Sequence, residues 1–164
     1  MFSIIIPVYN ESKNIVKLLK EIKSELNNKI YEIIFINDAS IDNTLDVLDK
    51  YRSDSIKIIS NQSNKGQSFS LNKGIKESKY NTLVTLDGDG QNNPKDIINL
   101  LNSYLDNEDI YLVAGIRIKR KDNFIKILSS RIANFIRSKI LDDGCRDTGC
   151  SLKVFDKNAY LRLP

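Results

Sequence analysis

The sequence predicts an α/β fold with a mainly parallel sheet and helices on both of its faces. Two observations carry that reading. Short apolar runs rich in β-branched residues alternate with longer amphipathic stretches in a β-α-β-α-β-α-β order. The first two runs, Ile4-Ile5-Ile6 and Ile33-Ile34-Phe35-Ile36, are continuously apolar, as strands buried on both faces must be. Phe2 to Pro7 is the first strand. Asn10 or Ser12 can cap the helix that follows, whose apolar positions Ile15, Leu18, Leu19, Ile22 and Leu26 keep helical spacing. Glu32 to Asn37 is the second strand and Asp42 to Tyr51 the second helix. Ile56 to Ser60 gives a third strand, Ser68 to Lys79 a helix carrying Leu71 and Ile75, and Asn81 to Leu86 a fourth strand. Pro94 suits the first turn of a helix running through Ile97, Ile98, Leu101 and Leu105. Ile110 to Ala114 and Ser151 to Phe155 read as further strands.

With 164 residues and no repeat, low-complexity tract or linker, the chain reads as one domain over 1–164. A hydrophobic fraction of 41% and a charged fraction of 28% are ordinary for a globular protein. The net charge of +4 favours anionic partners without choosing among them. No stretch approaches the roughly 18 consecutive apolar residues of a membrane span. The amino terminus reads as a strand rather than a secretory leader. Cys145 and Cys150 are the only cysteines, and reduced thiols are preferred over a bridge. Histidine is absent, so a zinc site would need unusual ligands, and any general acid or base must be Asp, Glu, Lys, Tyr or Cys.

Parallel strands point the same way, so their polar ends share one edge of the sheet. The first ends in Pro7-Val8-Tyr9-Asn10-Glu11, the second in Asn37-Asp38-Ala39-Ser40, and the fourth in Asp87-Gly88-Asp89-Gly90-Gln91. Taken alone, the last segment reads either as the metal and phosphate end of a nucleotide site or as a polar turn capping the next helix. Hard oxygen ligands suit Mg²⁺ or Mn²⁺ bridging a diphosphate. One such turn needs no company; three carboxylate-bearing turns on one edge argue for a site.

Those segments, together with Ile41-Asp42-Asn43-Thr44 and Asn64-Lys65-Gly66, resemble the family 2 glycosyltransferases, and within them the polyprenyl-phosphate branch. The resemblance spans essentially the whole chain, with four motifs in order at matching intervals. It implies a GT-A fold, a three-layer α/β/α sandwich around a mainly parallel sheet. Pro7, Tyr9 and Glu11 would border the base and ribose of a nucleotide-diphosphate sugar carrying uracil or guanine. Asp38 would accept a hydrogen bond from the base; its alternative is a turn or cap residue. Asp87 would lie near ribose and metal, and Asp89 and Gln91 would coordinate Mg²⁺ or Mn²⁺. Arg117 and Arg131 occupy positions where the branch places arginines near donor or acceptor phosphate. Asp147 matches an acidic position near the acceptor, or else a turn before the last strand.

From Asp122 onward, Phe124, Ile127, Leu128, Ile132, Phe135, Ile136 and Ile140 recur at helical spacing among Lys126, Arg131, Arg137 and Lys139. That stretch reads as a helix packed on the sheet, a helix at a membrane surface, or both on different faces. The resemblance thus implies inverting, metal-dependent transfer to a polyprenyl phosphate at the cytoplasmic face of a membrane. Transfer to a saccharide hydroxyl and a silent nucleotide-sugar binding module are the alternatives. A nucleic-acid partner is not expected, since no nucleic-acid motif accompanies the basic residues. Members of the branch usually continue beyond the equivalent of Pro164, so the expectation is either a fragment of a longer domain or a naturally reduced form. Donor base, sugar and oligomeric state stay open.

Overall fold

The computed structural model describes residues 1–107, 109–116, 147 and 149–163. Among them, β1 (Phe2–Val8), β2 (Tyr31–Asn37), β3 (Ile56–Ser60), β4 (Thr82–Thr85), β5 (Leu112–Ala114) and β6 (Lys153–Asp156) form one sheet in the order β3-β2-β1-β4-β6-β5. The helices are α1 (Ser12–Glu25), α2 (Thr44–Asp49), α3 (Gln67–Glu77), α4 (Asp96–Leu105) and α5 (Lys157–Leu161). β1 pairs in parallel with β2 and β4, and β2 in parallel with β3. β6 runs antiparallel to both β4 and β5, so the sheet is mixed at that side. This is the three-layer α/β arrangement expected from the sequence.

The period of two along β1 divides the core into two layers. Ile4 and Ile6 point into a cluster with Ile15, Leu18 and Leu19 of α1, Leu48 of α2 and Ile97 and Leu101 of α4. Ile5 points the other way, against Ile75 of α3, Leu83 and Phe155, with Leu71 and Tyr160 at its margin. Ile4, Ile5, Ile6, Ile33, Ile34, Phe35 and Ile36 are all 0% exposed. Each such side chain contributes about 1.5–3 kcal/mol by leaving water, which holds β1 and β2 as the fixed centre of the sheet. Gly74 lets α3 lie close on that centre: a Cβ there would stand 2.5 Å from Ile5 Cγ2.

Element ends differ from the sequence reading by at most two residues. β5 begins at Leu112 rather than Ile110, and β6 ends at Asp156 rather than Phe155. α4 begins at Asp96; Pro94 lies in the preceding turn, where its carbonyl accepts from the Ile97 N–H at 3.1 Å. Neither Asn10 nor Ser12 caps α1: the cap position is Glu11, whose side chain makes no capping hydrogen bond, and the first helical N–H, that of Ser12, is met by the Asp42 side chain instead. Asn10 is instead drawn across to the loop after β2. The amphipathic stretch from Asp122 to Ile140 lies outside the described residues.

Candidate nucleotide-sugar site

From β1 the chain leaves for β2 and β3 on one side and, later, for β4 on the other. The carboxyl ends of β1 and β4 therefore bound a crevice at the point where strand order reverses, the usual ligand position of an open α/β sheet. A cavity of about 230 Å³ opens there, lined by Pro7, Val8, Tyr9, Glu11, Asp38, Gln67, Ser70, Asp87, Gly88 and Asp89. Eight of these ten come from the segments at the ends of β1, β2 and β4 that the sequence marked: Pro7, Val8, Tyr9, Glu11, Asp38, Asp87, Gly88 and Asp89.

The loops after β1 and β2 are clasped together. Asn10 and Ala39 both sit at φ 57°, a left-handed conformation that alanine adopts at a cost of about 1–2 kcal/mol. Asn10 Oδ1 accepts from the N–H groups of Ile41 at 2.9 Å and Asp42 at 3.4 Å, and the Asn10 N–H donates to Ser40 Oγ at 3.0 Å. The Glu11 N–H donates to Thr44 Oγ1 at 2.8 Å, and the Ser12 N–H to Asp42 Oδ2 at 3.4 Å. Asp42 in turn accepts from the Thr44 hydroxyl and the Thr44 N–H. The Thr44 hydroxyl is the main reason that the Asp42 carboxyl is held down at about 2; contacts from Ser12 add to it against a smaller upward push from burial. The clasp orders Tyr9 and Glu11 at the cavity mouth, with Tyr9 43% exposed.

Asp38 is only 4% exposed. Its N–H donates to the Val8 carbonyl at 2.9 Å, which seats it beside the end of β1. Oδ1 accepts from Asn61 Nδ2 at 2.7 Å and from the Lys65 N–H at 2.9 Å; Oδ2 accepts from the Gly66 N–H at 2.8 Å. Burial is the largest single influence and pushes the carboxyl up. The Lys65 N–H, the Asn61 amide, the Gly66 N–H and the Ser70 hydroxyl together outweigh it, so the net shift is downward. Behind Asp38, Lys73 Nζ donates to Asn61 Oδ1 at 2.9 Å, which fixes the Asn61 amide with its NH₂ toward the carboxylate. Gly66, at φ 85°, supplies the left-handed turn that opens α3.

After β4 the chain packs tightly under the end of β1. A Cβ on Gly88 would stand 2.5 Å from Val8 Cγ1 and 3.2 Å from the Pro7 carbonyl, so only glycine brings Asp87 and Asp89 this close to β1. Asp89 Oδ1 accepts from the Gln91 N–H at 2.9 Å across Gly90, itself at φ 72°, forming an Asx turn. Asp87 Oδ1 accepts from Gln67 Nε2 at 2.7 Å. The motif is tied to the segment before β6 by Asn92 Nδ2, which donates to Ser151 Oγ at 2.6 Å, and by Thr85 Oγ1, which donates to the Ser151 carbonyl at 2.6 Å.

Residues 3–163 match the sequence profile of Glycosyl transferase family 2. The chain belongs to that family. Among curated family 2 relatives, it is 31% identical over 159 residues to the dodecaprenyl-phosphate galacturonate synthase of Rhizobium johnstonii, covering 93% of this chain and 47% of that protein. It is 30% identical over 162 residues to the undecaprenyl-phosphate 4-deoxy-4-formamido-L-arabinose transferase of Yersinia pestis, covering 95% and 49%. The family 2 chain here thus spans about half the length of the curated relatives it matches. Solved structures share its GT-A fold. A mannosyltransferase from Pyrobaculum calidifontis in complex with GDP-Man and Mn²⁺ superposes with a TM-score of 0.69 at 20% identity, covering 98% of this chain and 46% of that one. Glucosyl-3-phosphoglycerate synthase from Mycobacterium tuberculosis, with Mn²⁺, UDP and phosphoglyceric acid, gives 0.76 at 15% identity, covering 100% and 58%.

Within this family 2 domain, the carboxylates of Asp87 and Asp89 offer hard oxygens to one cavity, with Glu11 on its opposite loop. No group of three or more His, Cys, Asp or Glu side chains among the described residues could hold an ion by itself. That donor set fits Mg²⁺ or Mn²⁺ shared with ligand phosphates, since such ions are held by one or two carboxylates and take their remaining oxygens from substrate and water. Gln91 is exposed and is not among the residues lining the cavity. Asp147 is buried, 3% exposed, with its carbonyl accepting from the Cys150 N–H, and it does not line this cavity. Arg117, Arg131 and Cys145 lie outside the described residues. No described helix is long and apolar enough to cross a membrane.

Motif reading missed Gln67, Ser70, Asn61 and Lys73. The Asn-Lys-Gly turn pointed at their neighbourhood, but none of the four carries a local signal of its role.

Proposed function

We propose that this family 2 domain transfers a sugar, with inversion, from a UDP- or GDP-sugar to a polyprenyl phosphate at the cytoplasmic face of a membrane. The observation that carries the reading is the convergence of Glu11, Asp38, Asp87 and Asp89 on one cavity at the switch point of the sheet. The names of the two relatives, both transferases acting at a polyprenyl phosphate, favour that acceptor; the nucleotide and Mn²⁺ in the two structural neighbours favour the donor.

In this reading Pro7, Tyr9 and Glu11 border the base and ribose, and Asp38 accepts from the base while bracing the Lys65–Gly66 turn. Asp87 stands near the ribose. Asp89, with Gln91 in the same turn, holds Mg²⁺ or Mn²⁺. When bound, the cation supplies charge neutralisation to the departing nucleoside diphosphate. A phosphate monoester, with a second pKa of about 6, is already largely dianionic at neutral pH, so the acceptor needs no side chain to take a proton. Asp147 then serves to position the acceptor side, and Arg117 and Arg131 meet phosphate through their planar forks.

The test follows radiolabel from UDP- and GDP-sugars into a lipid extract, with and without Mn²⁺. Label in the organic phase is expected, and Asp89→Ala should remove at least about 99% of it while the circular dichroism spectrum stays unchanged, on the order of what loss of a charge-stabilising contact does. Label in saccharide, or nucleotide binding without any transfer, would overturn the acceptor or the activity respectively.

A further inference from the structure

Two buried polar side chains on the wall of the cavity, Asp38 and Ser70, share one donor behind them. Asn61 Nδ2 donates to Asp38 Oδ1 at 2.7 Å and to Ser70 Oγ at 3.0 Å, which spends both hydrogens of the amide. Its direction is fixed from the far side. Lys73 Nζ, a group with donors only, meets Asn61 Oδ1 at 2.9 Å, so turning the amide over would set like against like at both ends. Ser70 Oγ is therefore an acceptor toward Asn61, and its own proton must point elsewhere. In the structure that hydroxyl bears on the Asp38 carboxylate and helps to hold its carboxyl down. Asn61, the Lys65 N–H and the Gly66 N–H engage the same carboxylate, so a base N–H is left the position that the Ser70 proton occupies. Taking it turns that proton away. Ser70 is 0% exposed, and a buried hydroxyl left without an acceptor is costly. The ligand must therefore supply an acceptor beside its N–H.

We propose, resting on the nucleotide-sugar reading above, that Ser70 is a specificity-determining residue: it donates to a carbonyl of the base, next to the ring N–H that Asp38 receives. Asp38 and Ser70 then present an acceptor and a donor side by side, matched to a ring carbonyl with an adjoining N–H. Uracil offers that edge on either side of N3, and guanine on one side of N1. Cytosine and adenine carry a bare ring nitrogen at those positions, which turns a lone pair toward the Asp38 carboxylate. The wall thus selects a keto base over an amino base. Asn61 and Lys73 set its polarity without lining the cavity themselves.

Calorimetric titration of the full chain with UDP, 2-thio-UDP, 4-thio-UDP and CDP, in the presence of Mn²⁺, tests the role of Ser70. Sulfur in place of oxygen keeps the N3–H and weakens the acceptor beside it. One of the two thio nucleotides should bind about fivefold more weakly than UDP, as loss of a neutral hydrogen bond requires. CDP should bind at least about tenfold more weakly. In Ser70→Ala the thio penalty should shrink to less than about twofold, because the donor is gone. Where GDP is the nucleotide that binds, 6-thio-GDP is the same probe on guanine. Thio nucleotides that all bind the wild-type chain within about twofold of their parent would overturn the assignment. The displaced hydroxyl would then turn to the Gly66 carbonyl at the start of its own helix, which accepts from the Ser70 N–H at 3.2 Å. A thio penalty of equal size in Ser70→Ala, or CDP binding as tightly as UDP, would overturn it too. Binding of neither UDP nor GDP would refute the nucleotide-sugar reading and Ser70's role together, whereas tight UDP binding without a thio penalty removes only the role of Ser70. These titrations contain no acceptor, so the outcome of the transfer assay does not decide them.

Discussion

Replacing Asp38 by Asn keeps the side chain's shape and changes only its charge and one acceptor. The structure lets the cost be worked out. Oδ1 receives two donors, Asn61 Nδ2 and the Lys65 N–H, and Oδ2 receives one, the Gly66 N–H. Whichever way the new amide turns, its NH₂ faces an N–H. The cheaper orientation sacrifices the Gly66 contact, a hydrogen bond to a charged group worth about 1.5–3 kcal/mol. Asn61 cannot rotate to help, because Lys73 Nζ holds its carbonyl oxygen at 2.9 Å. The two surviving bonds fall from charge-assisted to neutral, which adds roughly 1 kcal/mol. A total of about 2–4 kcal/mol corresponds to a fall in Tm of roughly 5–12 °C for a chain of this size. Scanning calorimetry at pH 7 reads it directly. The carboxyl is held below its ordinary value of 3.8 in the fold, so its contribution is complete above that pH and is lost as pH falls below it. The gap between wild type and Asp38→Asn should therefore narrow once the pH drops under about 4. A variant melting within about 2 °C of wild type at pH 7 would refute the reasoning.

Two further substitutions probe the loops around the cavity. Gly88→Ala puts a methyl 2.5 Å from Val8 Cγ1 and should cost about 1–3 kcal/mol, read as a lower urea midpoint, and weaken nucleotide binding as Asp87 and Asp89 are pushed off β1. Asp42→Ala removes the acceptor that ties the loop after β1 to Thr44. Because the Asp42 carboxyl sits at about 2 in the fold, the Tm difference from wild type should be full above pH 4 and close as the pH falls toward 2. A difference that stays constant across that range would remove Asp42 from the clasp.

The order of elements was legible because each run keeps a clean period: continuous apolar residues in β1 and β2, helical spacing in α1 and α4. Caps were not legible in the same way. Asn10 has the composition of an N-cap, but its carbonyl oxygen is taken by the N–H groups of Ile41 and Asp42, 31 and 32 residues away in sequence. A local rule cannot weigh a long-range competitor. The antiparallel entry of β6 was equally out of reach, since an apolar run of four residues states no direction. At the site, the carboxylates at strand ends were visible because the sheet itself collects them. Their supports were not: Asn61 reaches Asp38 across 23 residues, and Gln67 reaches Asp87 across 20.

Those supports sharpen the question of what Asp38 does for a ligand. A carboxylate has about four acceptor positions, and Asn61, Lys65 and Gly66 engage it in the structure while Ser70 also bears on it. A base N–H must therefore take the fourth position in place of the Ser70 hydroxyl, and that contact would be charge-assisted and buried. Methylating the ring nitrogen of the base removes that donor and leaves the diphosphate intact. If Asp38 accepts from the base, N3-methyl-UDP or N1-methyl-GDP should bind the wild-type chain about tenfold more weakly than its parent, as a lost hydrogen bond to a charged group requires. In Asp38→Ala the same methylation should cost less than about twofold, because the acceptor is gone. An equal penalty in both proteins would mean that Asp38 only braces the turn at Lys65 and Gly66, and that the base is read by the loop carrying Tyr9 and Glu11.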